Sequence, residues 1–230
     1  PDEIDWSALG GIPVAMVTGT NGRSTTVRVT AAIMTAAGFL AGLTSTDFIR
    51  VGDRVIDTGD YSGTGGARML MRQGDVEMAV LEVARGGLLR RGLGLESADV
   101  AAITNVAADH LGDYGINSVP ELIPAKFIVS KALHGDAPLV LNADDQGMVD
   151  YAAGLNHPVT WFSLDPEHPL LRKSTAGGGT VCYFENGWIV VAKGSSVQQV
   201  APVEEIPATM GGIVRFNLSN AMAATCIAVS

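Results

Sequence analysis

A chain of 230 residues, 47% hydrophobic and only 17% charged, carries enough apolar material for one large domain or a core with a small subdomain. Its 24 acidic and 15 basic side chains give a net charge of -9, which argues against nucleic-acid phosphates or anionic lipid as general partners but leaves room for a local positive site. No cationic leader precedes an apolar stretch and no apolar run reaches the roughly 20 residues of a bilayer span, so a cytoplasmic protein with no membrane contact is expected.

The polar opening "PDEIDWSALGG", residues 1–11, reads as a linker. Residues 12–18, "IPVAMVT", then form a short buried strand that stops at Gly19, and residues 24–37 form a helix opened by Ser24 and Thr25 and closed by Gly38. The alternation continues with a strand in "FLAGLTST", a short helix in "GTGGARMLMRQG", and strands in "VEMAVLEVA" and "VAAITNV". A helix follows in "VPELIPAKFIVSKAL", then a strand in "APLVLNADD" with polar residues at its carboxyl end. This order predicts an α/β fold whose mostly parallel sheet is flanked by helices, with ligands gathered beyond the strand ends.

Near residue 160 the pattern turns β-rich. "PVTWFSL" is another strand, and "TVCYFENGWIVVAKG" is a hairpin turning at Asn186-Gly187. A small β-rich subdomain over about 158–207 is the expectation. The run Gly177-Gly178-Gly179 precedes a strand instead of opening a helix, so it reads as a flexible connector and not a phosphate loop. "FNLSNAMAATCIAVS" has helical composition and stops without a glycine cap or a charged last turn, as expected of a chain that continues into a larger protein. Cys182 and Cys226 stand far apart in apolar surroundings, without metal-ligand spacing, and read as buried thiols.

Three stretches carry chemistry. In "VTGTNGRSTT", Gly19 and Gly22 let the backbone turn tightly and approach a ligand, helix-start amides favour negative oxygens, and Ser24 stands where a nucleotide-loop hydroxyl reaches magnesium. The spacing G-x-x-G-R-S departs from the general phosphate-loop form in its first glycine and its cation, and a plain strand-to-helix turn with a capping serine is the alternative. "LEVARGG" puts Glu82 at a strand's carboxyl edge, either to bind magnesium through oxygen or to pair with Arg85 or Arg90 at the surface. "TNVAADHLG" puts Asp109 and His110 in a loop facing the same crevice. By sequence physics alone Lys126 is ambiguous, since a lysine on a helix usually points into water.

Together, "VTGTNGRSTT", "LEVARGGLLRRGLG", "TNVAADHLG", Lys126, "LNADD" and "FNLSN" resemble, in that order, the central ATPase domain of the Mur ligase superfamily. More narrowly, "GDYSGTGGARMLMR" followed by "AVLEVARGGLLRRGLG" is similar to the Mur-ligase-like half of cyanophycin synthetases. The resemblance implies a P-loop NTPase-like Mur ligase central domain over residues 12–230. The activity it implies is ATP-dependent amide-bond formation through an acyl phosphate, on an amino acid or acidic peptide carboxylate.

By motif, it implies that Gly19, Thr20, Asn21, Gly22, Arg23, Ser24 and Thr25 surround the phosphates, and that Asn217 and Asn220 lie near adenine. Ser24, Glu82, His110 and Lys126 would form the magnesium site, the lysine after carbamylation. Arg23, Glu82, His110 and Lys126 are the implied catalytic set, with Arg85 and Arg90 attracting an acidic substrate end and Asn105, Asp109 and Asp145 in support.

The implied partners are a C-terminal ligase domain, absent from this chain, and an N-terminal ATP-grasp domain; a homo-oligomer is compatible with the sequence. Arg23 is the departure, because the family pattern has lysine there, and arginine keeps the charge on a larger planar head. Two rival readings follow: a degenerate nucleotide-binding module or scaffold, and another ligase of the Mur or folylpolyglutamate type.

Overall fold

The computed structural model describes residues 11–109 and 111–230. The expected linker therefore lies almost wholly outside the described residues, as does His110. A single 11-stranded sheet runs through the molecule in the order β11-β10-β9-β8-β7-β6-β1-β5-β2-β3-β4. Its strands are β1 (Val14–Thr18), β2 (Ala41–Thr44), β3 (Phe48–Val51), β4 (Arg54–Thr58), β5 (Met78–Glu82), β6 (Val100–Ile103), β7 (Leu139–Asn142), β8 (Val159–Ser163), β9 (Thr180–Glu185), β10 (Trp188–Lys193) and β11 (Ser196–Pro202). The helices are α1 (Arg23–Ala36), α2 (Thr64–Met71), α3 (Arg85–Arg91), α4 (Val119–Phe127), α5 (Gln146–Ala152), α6 (Pro169–Ala176) and α7 (Arg215–Val229).

The strands from β9 across to β2 are parallel, and antiparallel hairpins extend both edges. β1 is central and buried along its whole length, which explains its unbroken apolar run. Val14 and Met16 feed one core layer with Leu70, Leu88 and Leu122 from α2, α3 and α4. Ala15 and Val17 feed the opposite layer with Val27 of α1 and Leu218 and Met222 of α7.

The segment expected to form a β-rich subdomain instead extends this sheet. β8 pairs with β7 and β9 with β8, both in parallel, and Trp161 and Phe162 enter opposite core layers. The physical reason is edge chemistry: β7 presents a row of backbone donors and acceptors that the next strand satisfies. The Asn186-Gly187 hairpin forms as expected, with φ of 49° and 83° at its two turn residues. The triple glycine is not a loose connector. Gly178, at φ 82°, ends α6, with its amide donating to the Thr175 carbonyl and the Gly179 amide to that of Ser174, the paired bonds of a Schellman cap. Gly38 closes α1 with the same pair of bonds, to Thr35 and from Phe39 to Met34.

Candidate functional site

The site gathers at the carboxyl ends of β1, β5 and β6. β1 lies between β5 and β6, so the chain's crossovers leave to both sides there and open a crevice above the strand ends. Register carries the functional groups into it: Val17 sits opposite Glu82, and Thr18 opposite Ile103.

The loop from β1 to α1 is held from below by β6 and its extension. The Thr20 amide donates to the Asn105 carbonyl at 2.9 Å, Asn21 donates to Asn105 Oδ1 at 3.1 Å, and Thr104 Oγ1 donates to the Asn21 carbonyl at 2.7 Å. Glycine is required at two positions. Gly19 has φ 146°, and a Cβ there would lie 2.0 Å from Thr104 Oγ1; Gly22, at φ 82°, would place one 2.0 Å from Asn220 Oδ1. Gly22 is the N-cap of α1, and no side chain caps that end, so Ser24 is not the capping serine of the alternative reading. The first amides of a fourteen-residue helix thus face the crevice without a side-chain acceptor.

Glu82 is the hub of the crevice. Its side chain is fully buried; Ser24 Oγ donates to Oε2 at 2.7 Å and Arg23 Nε to Oε1 at 3.1 Å. The Thr46 amide also approaches Oε2, at 3.3 Å, and Thr46 Oγ1 lies 3.2 Å from Ser24 Oγ. Thr46 follows β2, two strands from β1, so only the sheet order reveals it. Arg23 curls back over its own loop, with one terminal nitrogen donating to the carbonyls of Gly19 at 2.6 Å and Thr20 at 3.1 Å. Glu82 thus pairs with Arg23, and not with Arg85 or Arg90.

Lys126 does not point into water: it is 2% exposed, and Nζ donates to the Gly19 carbonyl at 2.7 Å. Burial, reinforced by the positive charges of Arg23 and Arg85 and opposed by Asp109, lowers its pKa to about 7. Near neutral pH much of this amine is therefore uncharged.

Two clefts flank the loop. On one side a cleft of about 250 Å³ is lined by Thr20, Arg23, Arg85, Asp109, Tyr114 and Lys126. It meets a second hollow beside α2, where Arg90 and Arg91 stand by Tyr61 and Tyr114. Arg85 donates to Asp113 at 3.3 Å, and the Arg90 guanidinium lies 5.0 Å from the Tyr114 ring centre. On the other side an opening of about 750 Å³ is lined by Asn21, Gly22, Thr25, Asn105, Asn142, Asp144, Phe216, Asn217 and Asn220. Asn220 donates to Asn217 Oδ1 at 3.2 Å, and Asn217 donates to the Ala208 carbonyl at 2.7 Å.

Asp145 instead braces the scaffold, accepting from the Val106 amide at 2.9 Å and capping α5. Its neighbour Asp144, not singled out in the sequence, reaches the wide cleft; the signal was its place at the polar end of β7.

The Mur ligase middle domain family model matches residues 17–228. The chain belongs to that family. A cyanophycin synthetase of Trichormus variabilis is 41% identical over 219 residues, covering 95% of this chain and 24% of that enzyme. A UDP-N-acetylmuramoyl-L-alanyl-D-glutamate–2,6-diaminopimelate ligase of Bacillus cereus is 29% identical over 91% of the chain and 42% of its own length. This Mur ligase middle domain thus spans 24 to 25% of the cyanophycin synthetases it matches.

Among solved structures, a bifunctional folylpolyglutamate synthase/dihydrofolate synthase with manganese, AMPPNP and L-glutamate bound superposes with a TM-score of 0.63 at 23% identity, covering 94% of this chain and 52% of that one. A diaminopimelate ligase of the same type as the Bacillus relative superposes at 0.68 and 18% identity, over 95% and 43%. These superpositions establish the shared fold. Among the described residues, no helix is long and apolar enough to cross a membrane.

Proposed function

We propose that this domain binds ATP and a divalent cation and forms amide bonds through an acyl phosphate, as part of a larger ligase of the cyanophycin synthetase kind. The observation that carries the reading is the meeting of Ser24 Oγ and Glu82 Oε2, 2.7 Å apart, at the mouth of a glycine-shaped loop that opens a helix.

The donor set fits a hard cation that keeps several waters, because it offers one carboxylate and two hydroxyls, of Ser24 and Thr46, and no sulfur. Among the described residues no three His, Cys, Asp or Glu side chains cluster, in keeping with a metal held mainly through the nucleotide. Magnesium, held by Ser24 and Glu82 with His110 as a third candidate, would neutralise charge on the phosphate oxygens. The loop amides of residues 22–25 would orient those oxygens, and Arg23 would add positive charge beside them. In this proposal the substrate carboxylate attacks the γ-phosphorus and ADP leaves; an amine then attacks the acyl carbon and phosphate leaves.

The wide cleft, with Asn217 and Asn220 at its wall, suits adenine and ribose. Arg85, Arg90 and Arg91 line the opposite side and suit an acidic amino acid or peptide end. Lys126, about half uncharged near pH 7, then has a lone pair available to carbon dioxide; carbamylation would bond nitrogen to carbon, release a proton and give an anionic metal partner. A C-terminal domain supplied by the rest of the protein would deliver the amine and exclude water.

The rival reading, a nucleotide-binding module without catalysis, is favoured by one observation: the Arg23 guanidinium occupies the loop and Glu82 at once. The test is ADP and phosphate release by the intact protein supplied with acidic peptides and amino acids together. ATP cleavage coupled to an amide product supports the ligase; nucleotide binding with no amide product under any pairing supports the module.

A further inference from the structure

We infer that Arg23 is a latch on the metal site: in the nucleotide-free protein it neutralises Glu82, and a triphosphate must draw it away before that carboxylate takes a divalent cation. The inference rests on the nucleotide-site reading above and assigns that site an order of assembly.

Three hydrogen bonds define the latched state. Arg23 Nε reaches Glu82 Oε1 at 3.1 Å, and one terminal nitrogen reaches the carbonyls of Gly19 at 2.6 Å and Thr20 at 3.1 Å. Both carboxylate oxygens are thereby engaged, because Ser24 Oγ already donates to the other at 2.7 Å. The carboxylate is wholly buried, whereas the arginine side chain remains 21% exposed on the crevice side. The partner able to move is therefore the guanidinium. A lysine at this position has no nitrogen at the Nε position and a single ammonium at its tip, so it cannot hold the carboxylate and the loop carbonyls through separate nitrogens.

A cation entering beside Glu82 in this state meets a positive charge within bonding distance of the same oxygen, in a site with little water to screen it. A triphosphate offers the guanidinium more negative charge and paired oxygen acceptors, which favours its leaving the carboxylate. Nucleotide and metal then assist each other, and the assistance is reciprocal. Metal without nucleotide is held off, so the site stays unassembled until both are present.

The test is manganese binding to the intact protein, followed by electron paramagnetic resonance, for wild type, Arg23→Lys, Arg23→Met and Glu82→Gln. AMPPNP affinity is measured on the same samples and folding is checked by circular dichroism. Arg23→Met removes the charge at similar length and serves if the lysine variant misfolds. Without nucleotide, Arg23→Lys and Arg23→Met should each bind manganese at least about tenfold more tightly than wild type. Adding Glu82→Gln to either should abolish that gain. Free-manganese affinity that is insensitive to residue 23, where the wild type binds AMPPNP, overturns the latch and leaves the nucleotide site standing. If no variant and no wild-type sample binds AMPPNP, the nucleotide-site reading fails and the latch fails with it.

Discussion

The two clefts beside the β1–α1 loop differ in chemistry more than in distance. The narrow one brings Arg23, Arg85 and Lys126 together with Asp109 and Asp113 around about 250 Å³, whereas the wide one lines about 750 Å³ with asparagine amides, Asp144 and Arg215 of opposite charge, and an exposed phenyl ring at Phe216. One side suits groups that carry and move negative charge. The other suits a neutral heterocycle that is hydrogen-bonded and stacked. The wall between them is a few residues of loop, so a nucleotide laid across it would have its phosphates sorted from its base by the protein's own charge distribution.

The sharpest way to break this contrast is to spoil the wall. Gly22→Ala forces a Cβ to within 2.0 Å of Asn220 Oδ1 at a residue with φ 82°. It should destabilise the protein by about 1–3 kcal/mol in thermal or urea unfolding and abolish AMPPNP binding in calorimetry. Normal nucleotide affinity in that variant would mean that the loop does not divide the two clefts.

Next comes the charged side alone. Glu82→Gln keeps the shape of the hub while removing its charge and turning one of its two acceptor positions into a donor. Metal-dependent turnover of the intact protein should fall about 100-fold, with adenine-nucleotide affinity changed far less. Equal losses in both would erase the distinction between the sides.

Lys126 sharpens the contrast through pH. Its pKa falls from an ordinary 10.5 to about 7 in the folded protein. Between those values the unfolded chain holds a proton that the native amine has released, so stability attributable to this residue rises with pH across that window. Below about 7 both states are protonated and the contribution is flat at its least favourable level. In carbonate-free buffer, raising the pH from about 7 to about 9 should stabilise wild type by up to about 2 kcal/mol relative to Lys126→Met. Parallel curves for the two proteins would show that the buried amine does not titrate in this way.

The smallest effect belongs to the rim. Arg90 is exposed and stacks on Tyr114 with 5.0 Å between guanidinium and ring centre. Arg90→Ala should raise KM for an acidic substrate about fivefold, with kcat and unfolding midpoint nearly unchanged. A fall in kcat without a change in KM would place Arg90 in the chemistry instead.

The parts of this site that were legible in the sequence are those encoded locally. Gly19 and Gly22 announce a backbone that other residues adopt poorly, and "VAMVT" and "MAVLE" announce strands buried on both faces. Partners set by sheet register were not legible. Thr46 meets Ser24 because β2 lies beyond β5, and Arg23 folds onto a carboxylate 59 residues away. The hairpin of β3 and β4 around Gly52-Asp53 is faint in the sequence, because the β-propensity there is diluted by Arg50, Arg54 and Asp57. The β-rich segment was legible as strands but not as part of the main sheet, since composition reports strand content and not which edge a strand joins. Lysines on helices ordinarily face water, and only the tertiary structure shows Lys126 turned inward onto the Gly19 carbonyl.

The central claim is that a triphosphate occupies the loop of residues 19–25 with a divalent cation on Ser24 and Glu82. An anomalous difference map from crystals of the intact protein grown with manganese and AMPPNP tests it directly. The account predicts a manganese peak bonded to Ser24 Oγ and Glu82, with Arg23 turned from the carboxylate to the phosphates. A nucleotide bound elsewhere, or a manganese peak distant from both side chains while Arg23 still holds Glu82, would contradict it.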